Sequence, residues 1–305
     1  MFPSKEAGDY FNNNLILLKY QLDLEDPDGI MEKYSIRAYP TFVFVDGNGN
    51  EYARAIGGAN DTKTFIDKIQ NAVKPENSWA YRDEKLKSDP SYTFEYIRAL
   101  QSAYRLDKAL DLLNKYFATR SIQENFSEES VNLYNSLITD TNSPIVEFMA
   151  NHRNEVAMVM GEERYLSFLT SKANAQLSSK LGRIDLEKPE SVTDMETDIK
   201  KMVSNPLFKS KYSDFLANNF NHIKSKNHNA IFENSKKLLP DLTPAEISLV
   251  ISLNSNAVRI LKTEIESEVI RQRNITLYEI AIESVTDARV LENYQRTLDR
   301  LKNPQ

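Results

Sequence analysis

The sequence contains no cysteine in 305 residues. Within these residues, that excludes a disulfide framework, thiolate-ligated zinc, iron–sulfur clusters and any thiol nucleophile. Histidine is nearly as scarce, with three copies, His152, His222 and His228. The last two are not at the i, i+4 spacing that puts a metal pair on one helix face. Eight glycines fall below the usual share of about 7%, which disfavours many-turned β-structure and a glycine-rich phosphate cradle. No apolar run approaches the roughly 18 residues of a membrane span. The start, Met1-Phe2-Pro3-Ser4-Lys5 followed by Glu6 and Asp9, lacks the apolar core of a signal peptide. With 38 basic against 44 acidic residues the net charge is −6, so a basic stripe for nucleic acid is not favoured. Acidic turns such as Asp46-Gly47-Asn48-Gly49-Asn50 fail the ligand spacing of a calcium loop, because Glu51 stands where the glycine is needed. The expectation is no metal, no cofactor, no nucleic-acid partner and no membrane span.

Apolar residues make up 41% and charged residues 27%, a globular profile with material for a core. Six of the eight glycines lie in the first 58 residues, and the strand-like runs cluster there too. Leu15–Leu22 and Thr41–Val45 are apolar runs of strand length. The second leads through Asp46-Gly47-Asn48-Gly49-Asn50 into Glu51–Ile56, which predicts a β-hairpin, because tight hairpin turns need residues that tolerate positive φ. Asp26-Pro27 reads as the start of a short helix toward Tyr34. Asp61 reads as the N-cap of a helix carrying Phe65, Ile66, Ile69 and Val73, stopped by Pro75. Residues 1–75 thus form an α/β region, and 76–90 read as a linker carrying the single tryptophan, Trp79.

Residues 91–305 read as an all-helical domain. Phe94, Ile97, Leu100 and Tyr104 share one face, and Leu106, Ala109, Leu110, Leu113, Tyr116 and Phe117 share another. The short break between the two stripes predicts a helical hairpin. Thr243-Pro244-Ala245-Glu246 is a capping box with proline at the first helical position. Gly161 and Gly182 are helix stops, and helices are expected over 257–271 and 287–302. The segment from Ala103 to Leu110 is similar to a tetratricopeptide hairpin. It is shorter than that motif and no 34-residue period recurs, so irregular hairpin repeats and an ordinary bundle both remain open.

The α/β region resembles the later part of a thioredoxin-like domain. Phe2 to Asn14, with Lys5-Glu6-Ala7-Gly8-Asp9-Tyr10-Phe11-Asn12, resembles the short helix after the redox helix, and Leu15–Asp23 the strand ending in aspartate. Tyr34-Ser35-Ile36-Arg37-Ala38-Tyr39-Pro40-Thr41-Phe42-Val43-Phe44 resembles the approach to the Pro-Thr strand, and Gly57-Gly58 precedes the last helix. With its helical extension, the chain is similar to Bacteroidetes-type thioredoxin-fold proteins. The resemblance implies a cis bond between Tyr39 and Pro40, exposing the Tyr39 backbone to an extended substrate; from the residues alone, a trans proline opening a strand is the other reading. Tyr39 and Pro40 are therefore the candidate substrate-binding residues, with no catalytic residue. The redox Cys-x-x-Cys and the central strand before it have no counterpart here, so the fold is expected to be an incomplete thioredoxin-like domain and the chain a truncated form of a longer protein.

The family implies a thiol–disulfide oxidoreductase or isomerase in an extracytoplasmic, periplasmic location, acting on protein or peptide clients. Without cysteine these residues are redox-inactive, since exchange requires a thiolate. The alternative is a non-catalytic binding scaffold that uses the proline edge and the helical hairpins.

Overall fold

A computed structural model describes residues 5–20, 26, 29–262 and 264–303. The chain divides into two compact units, Met1–Asn125 and Phe126–Gln305. Among the described residues the secondary structure is mostly helix, with one small two-stranded antiparallel sheet.

The first unit opens with α1 (Lys5–Asn14) and α2 (Ile30–Lys33), then β1 (Thr41–Val45), β2 (Glu51–Ile56) and α3 (Thr62–Ala72). The hairpin forms as its turn chemistry predicts. Asp46 binds its own loop, its Oδ1 accepting from the Asn48 and Asn50 backbone at 2.8 and 2.9 Å, while Gly49 supplies φ 76°. Pairing runs Thr41 with Ile56, Phe42 with Ala55, Val43 with Arg54 and Phe44 with Ala53, then shifts so that Val45 faces Glu51. Tyr52 is thus a bulged residue, and the bulge changes which way the strand presents its end. Side chains alternate between faces. One face sends Phe42, Phe44 and Ala55 into a core with Ala7 and Phe11 of α1 and Phe65 and Ile69 of α3. Without the bulge Glu51 would point to that same core; with it, Glu51 joins Arg54 on the other face.

Helix α3 starts where expected, the Asp61 carboxylate accepting from the Thr64 backbone at 2.8 Å. Asp26 caps α2, its two oxygens accepting from the Ile30 and Met31 backbone at 2.7 and 3.0 Å. The strand expected from Leu15 is not formed: residues 15–20 make no ladder, and Ile16 and Leu18 are 95% and 73% exposed. A strand exists only through a neighbour that takes its N–H and C=O groups, and the sheet holds β1 and β2 alone. Residues 21–25 of that run lie outside the described residues.

The stretch read as a linker is folded. A 3-10 turn at Pro75–Asn77 leads, through the Ser78 cap, into α4 (Trp79–Ser88), which packs on β2. Then follow α5 (Thr93–Ser102), α6 (Leu106–Ala118) and α7 (Ile122–Asn125). The α5–α6 hairpin buries Ile97 and Leu100 with Ala109 and Leu113, while Leu106, at the end of the expected stripe, stays 42% exposed. Helix α5 closes with Tyr104 at φ 55°, the Tyr104 N–H reaching the Gln101 carbonyl and the Arg105 N–H reaching the Leu100 carbonyl. This is the left-handed cap glycine usually makes; Ser35 and Lys226 make the same closure at φ 49° and 57°.

The second unit is all-helical: α8 (Glu128–Leu137), α9 (Pro144–Asn151), α10 (Arg153–Met160), α11 (Glu162–Leu181), α12 (Pro189–Ser204), α13 (Lys211–Lys224), α14 (His228–Leu238), α15 (Pro244–Ser255), α16 (Ala257–Leu261), α17 (Ser267–Ser284) and α18 (Ala288–Lys302). From α10 to α15 each helix packs on the next, and α17 packs on both α15 and α18. The Thr243–Glu246 capping box closes in both directions. The continuous helix expected over 257–271 breaks instead. Lys262 turns left-handed at φ 49° and its amine binds Asp185 at 2.8 Å, and α17 restarts at Ser267.

Two buried ionisable groups stand out in this unit. Lys172 on α11 is 5% exposed, donates to the Asn135 carbonyl in the last turn of α8 at 3.2 Å, and lies 4.7 Å from the Phe168 ring centre. It has no carboxylate partner among the described residues, and burial lowers its amine to about 8. His228, 4% exposed, takes a hydrogen bond at Nδ1 from Arg273; burial and then the Arg273 charge lower the imidazole to about 4.

Candidate functional site

The approach to β1 is held from behind by one arginine. Arg54 is buried and its guanidinium donates to the carbonyls of Tyr34, Ser35 and Ala103 and to both oxygens of Glu51, the closest Glu51 contact being 2.7 Å. The Tyr34 hydroxyl donates to the Gly49 carbonyl at 3.0 Å, tying the same segment to the hairpin loop. Residues 34–40 are therefore fixed at their start while their end faces solvent.

There the Tyr39–Pro40 peptide bond is cis. The Pro40 carbonyl accepts from the Gly57 N–H at 2.7 Å, extending the β1–β2 pairing by one step, and the Thr41 hydroxyl donates to the Ala38 carbonyl at 2.6 Å. Tyr39 is 59% exposed, and its hydroxyl approaches the Met31 sulfur at 3.6 Å. Its backbone N–H and C=O have no hydrogen-bond partner among the described residues. Beyond it, β1 is paired on one side only among the described residues. The structure thus brings the two sequence-derived candidates together at the open end of an edge strand. What such an edge offers chemically is main-chain hydrogen bonding to an extended partner.

Sequence reasoning missed a polar cluster on the far face of the hairpin. Glu51 accepts from the Trp79 Nε1–H at 2.8 Å, lies 3.5 Å from Arg105, and pairs with Arg54, with the Glu51 and Arg54 side chains 8% and 1% exposed. Arg105 covers the Trp79 ring at 5.0 Å. Nearby, the Tyr96 hydroxyl donates to Asp83 at 2.6 Å, and burial, reinforced by that carboxylate, pushes its phenol upward. Glu51 and Arg54 are three apart, which on a regular strand places them on opposite faces. Only the bulge brings them together, and nothing in the residue pattern marks a bulge.

No group of three or more His, Asp or Glu residues among the described residues could hold a metal ion. Among them, too, no helix is long and apolar enough to cross a membrane. Compared with known proteins, the chain matches no family model, and no curated protein or solved structure matches it.

Proposed function

We propose that this chain is a thioredoxin-like protein whose role in these residues is client docking: an extended protein or peptide segment pairs with the main chain at Tyr39 and along the open side of β1. The observation that carries the reading is the unpaired Tyr39 backbone at the head of an edge strand. The order of elements supports the family: an exposed Tyr39-Pro40 turn, a hairpin, then a helix packed on the hairpin's core face. Disulfide exchange is not performed by these residues, because it needs a thiolate and they include no cysteine. The family reading carries with it an extracytoplasmic location.

The test is hydrogen exchange on the full chain with and without a permanently unfolded, carboxymethylated polypeptide. Docking predicts added protection confined to residues 38–45. Protection elsewhere, or none, refutes it. Intact mass and thiol counting on the natively expressed protein address the chemistry separately. Two thiols appearing on reduction would make the docking edge part of a disulfide oxidoreductase, and their absence would leave a scaffold.

A further inference from the structure

Beside β2 lies a half-open cavity of about 340 Å³, lined by residues of β2, α3, α4 and α5 within the first unit. Its walls include Ala55, Ile56, Ala72, Ala99 and one edge of Trp79, and three cations, Arg54, Lys68 and Arg82. No carboxylate lines it.

The three cations are not equivalent. Arg54 is matched by Glu51 and uses all five of its N–H groups. Lys68 is bound only to the carbonyls of Ile56, Gly57 and Gly58, which hold the ammonium in place without neutralising it. Arg82 donates to the Tyr92 hydroxyl at 2.6 Å and to the Asn77 side chain at 2.7 Å, with a longer bond to the Asn77 carbonyl at 3.5 Å. All its partners are neutral, and one N–H remains on each terminal nitrogen. Glu51, the one buried carboxylate nearby, is shared between Arg54 and Arg105. The Asp83 carboxylate on α4 is engaged by Tyr96. That bond leaves the Asp83 charge in place, and Arg54, Lys68, Arg82 and Arg105 set against Glu51 and Asp83 still leave an excess of positive charge around the cavity. A guanidinium with unused N–H groups and no counter-charge is a natural partner for an oxyanion. The small apolar walls leave room beside that anion for a few carbon atoms.

We propose that this cavity binds a small organic oxyanion, a carboxylate or phosphate on a short apolar body, with Arg82 as the direct ligand and Lys68 supplying fixed positive charge. Ser102 and Asn71, exposed at the mouth, add hydroxyl and amide donors. The site does not use the β1 edge: none of its lining residues lies on β1.

Trp79 is the only tryptophan in the chain and it lines the cavity, so its fluorescence reports this site alone. The full chain is titrated with butyrate, inorganic phosphate and the neutral isostere butyramide, with ionic strength held by potassium chloride. The expected result is a saturable change in Trp79 emission, with half-effect below about 10 mM, for butyrate or phosphate and none for butyramide or chloride. Saturation by butyrate but not phosphate assigns a carboxylate ligand; the converse assigns a phosphate. Arg82→Gln is expected to weaken binding at least about tenfold. Ala99→Leu, which fills the cavity and leaves every charge in place, is expected to abolish it, with far-UV circular dichroism confirming that both variants fold. No saturable response to either anion, an equal response to butyramide, or undiminished binding by folded Ala99→Leu overturns the proposal.

Discussion

Replacing Lys172 with methionine is expected to stabilise the second unit. Burial takes the amine from 10.5 to about 8, so keeping it charged in the folded state at pH 7 costs about 3 kcal/mol. Methionine, unbranched and one atom shorter, fills most of the same space and removes that cost. Against it stand the lost bond to the Asn135 carbonyl, about 1 kcal/mol, and the ammonium–ring contact with Phe168, about 0.5–1 kcal/mol. The net expectation is a gain of about 1–2 kcal/mol. The pH dependence has a definite sign. The folded value lies below the unfolded one, so the unfolded chain holds the proton more tightly. Wild-type stability is lowest below pH 8 and rises toward pH 10.5, by about 2 kcal/mol between pH 7 and 9.5. Lys172→Met removes that rise. The window stops short of pH 10, where the buried phenols of Tyr165 and Tyr212, both raised by burial, begin to favour the unfolded chain. Urea denaturation followed by circular dichroism at 222 nm reads both units, and Trp79 fluorescence reads only the first, so the helical transition without a fluorescence counterpart belongs to Lys172. A variant less stable than wild type at pH 7, or wild-type stability flat from pH 7 to 9.5, would refute the reasoning.

Other outcomes follow from the same structure. Glu51→Gln leaves Arg54 buried without its counter-charge and should destabilise the first unit by about 3 kcal/mol, seen as an earlier Trp79 fluorescence midpoint in urea. His228, held near 4 when folded against 6.5 unfolded, contributes stability that is full above pH 6.5 and lost as pH falls toward 4. About 3 kcal/mol is at stake, and His228→Asn should make the acid limb of the second unit's melting curve shallower. Tyr104→Gly and Lys226→Gly relieve left-handed backbone and should each stabilise by about 1 kcal/mol, read as a higher urea midpoint. A midpoint unchanged or lowered in both would mean that their side-chain contacts outweigh the backbone cost.

What the sequence made legible was what local chemistry decides. The hairpin is written in Asp46–Asn50, the start of α3 in Asp61, and the start of α15 in Thr243 with Glu246, because each needs only its near neighbours. What escaped depends on partners distant in the chain. The run from Leu15 has strand composition, but over residues 15–20 it has no neighbour to pair with among the described residues. Residues 76–90 look like a connector until Trp79 finds Glu51. The break falls at Lys262, which turns left-handed and pairs with Asp185, a residue far earlier in the chain, and no helical period records it. Of the candidate site, Tyr39 and Pro40 were readable through the resemblance. The Arg54 anchor behind them and the cavity beside Arg82 were not, since both are assembled by folding rather than by spacing.

The extra residue at Tyr52 also sets what insertions the hairpin can absorb. The bulge works by parity: it swaps odd for even at the end of β2 and sends a carboxylate away from the phenylalanines. The loop from Asp46 to Asn50 stands outside that count and can lengthen without disturbing either face. Between Glu51 and Ala53 the count decides the side: with Tyr52 kept and the bulge flattened, Glu51 would turn toward Phe42 and Phe44, whereas loss of Tyr52 would make the strand regular and leave Glu51 beside Arg54. Natural variants of this chain should therefore differ in length at the hairpin tip, and a variant that lacks the residue at Tyr52 should still carry its carboxylate beside Arg54.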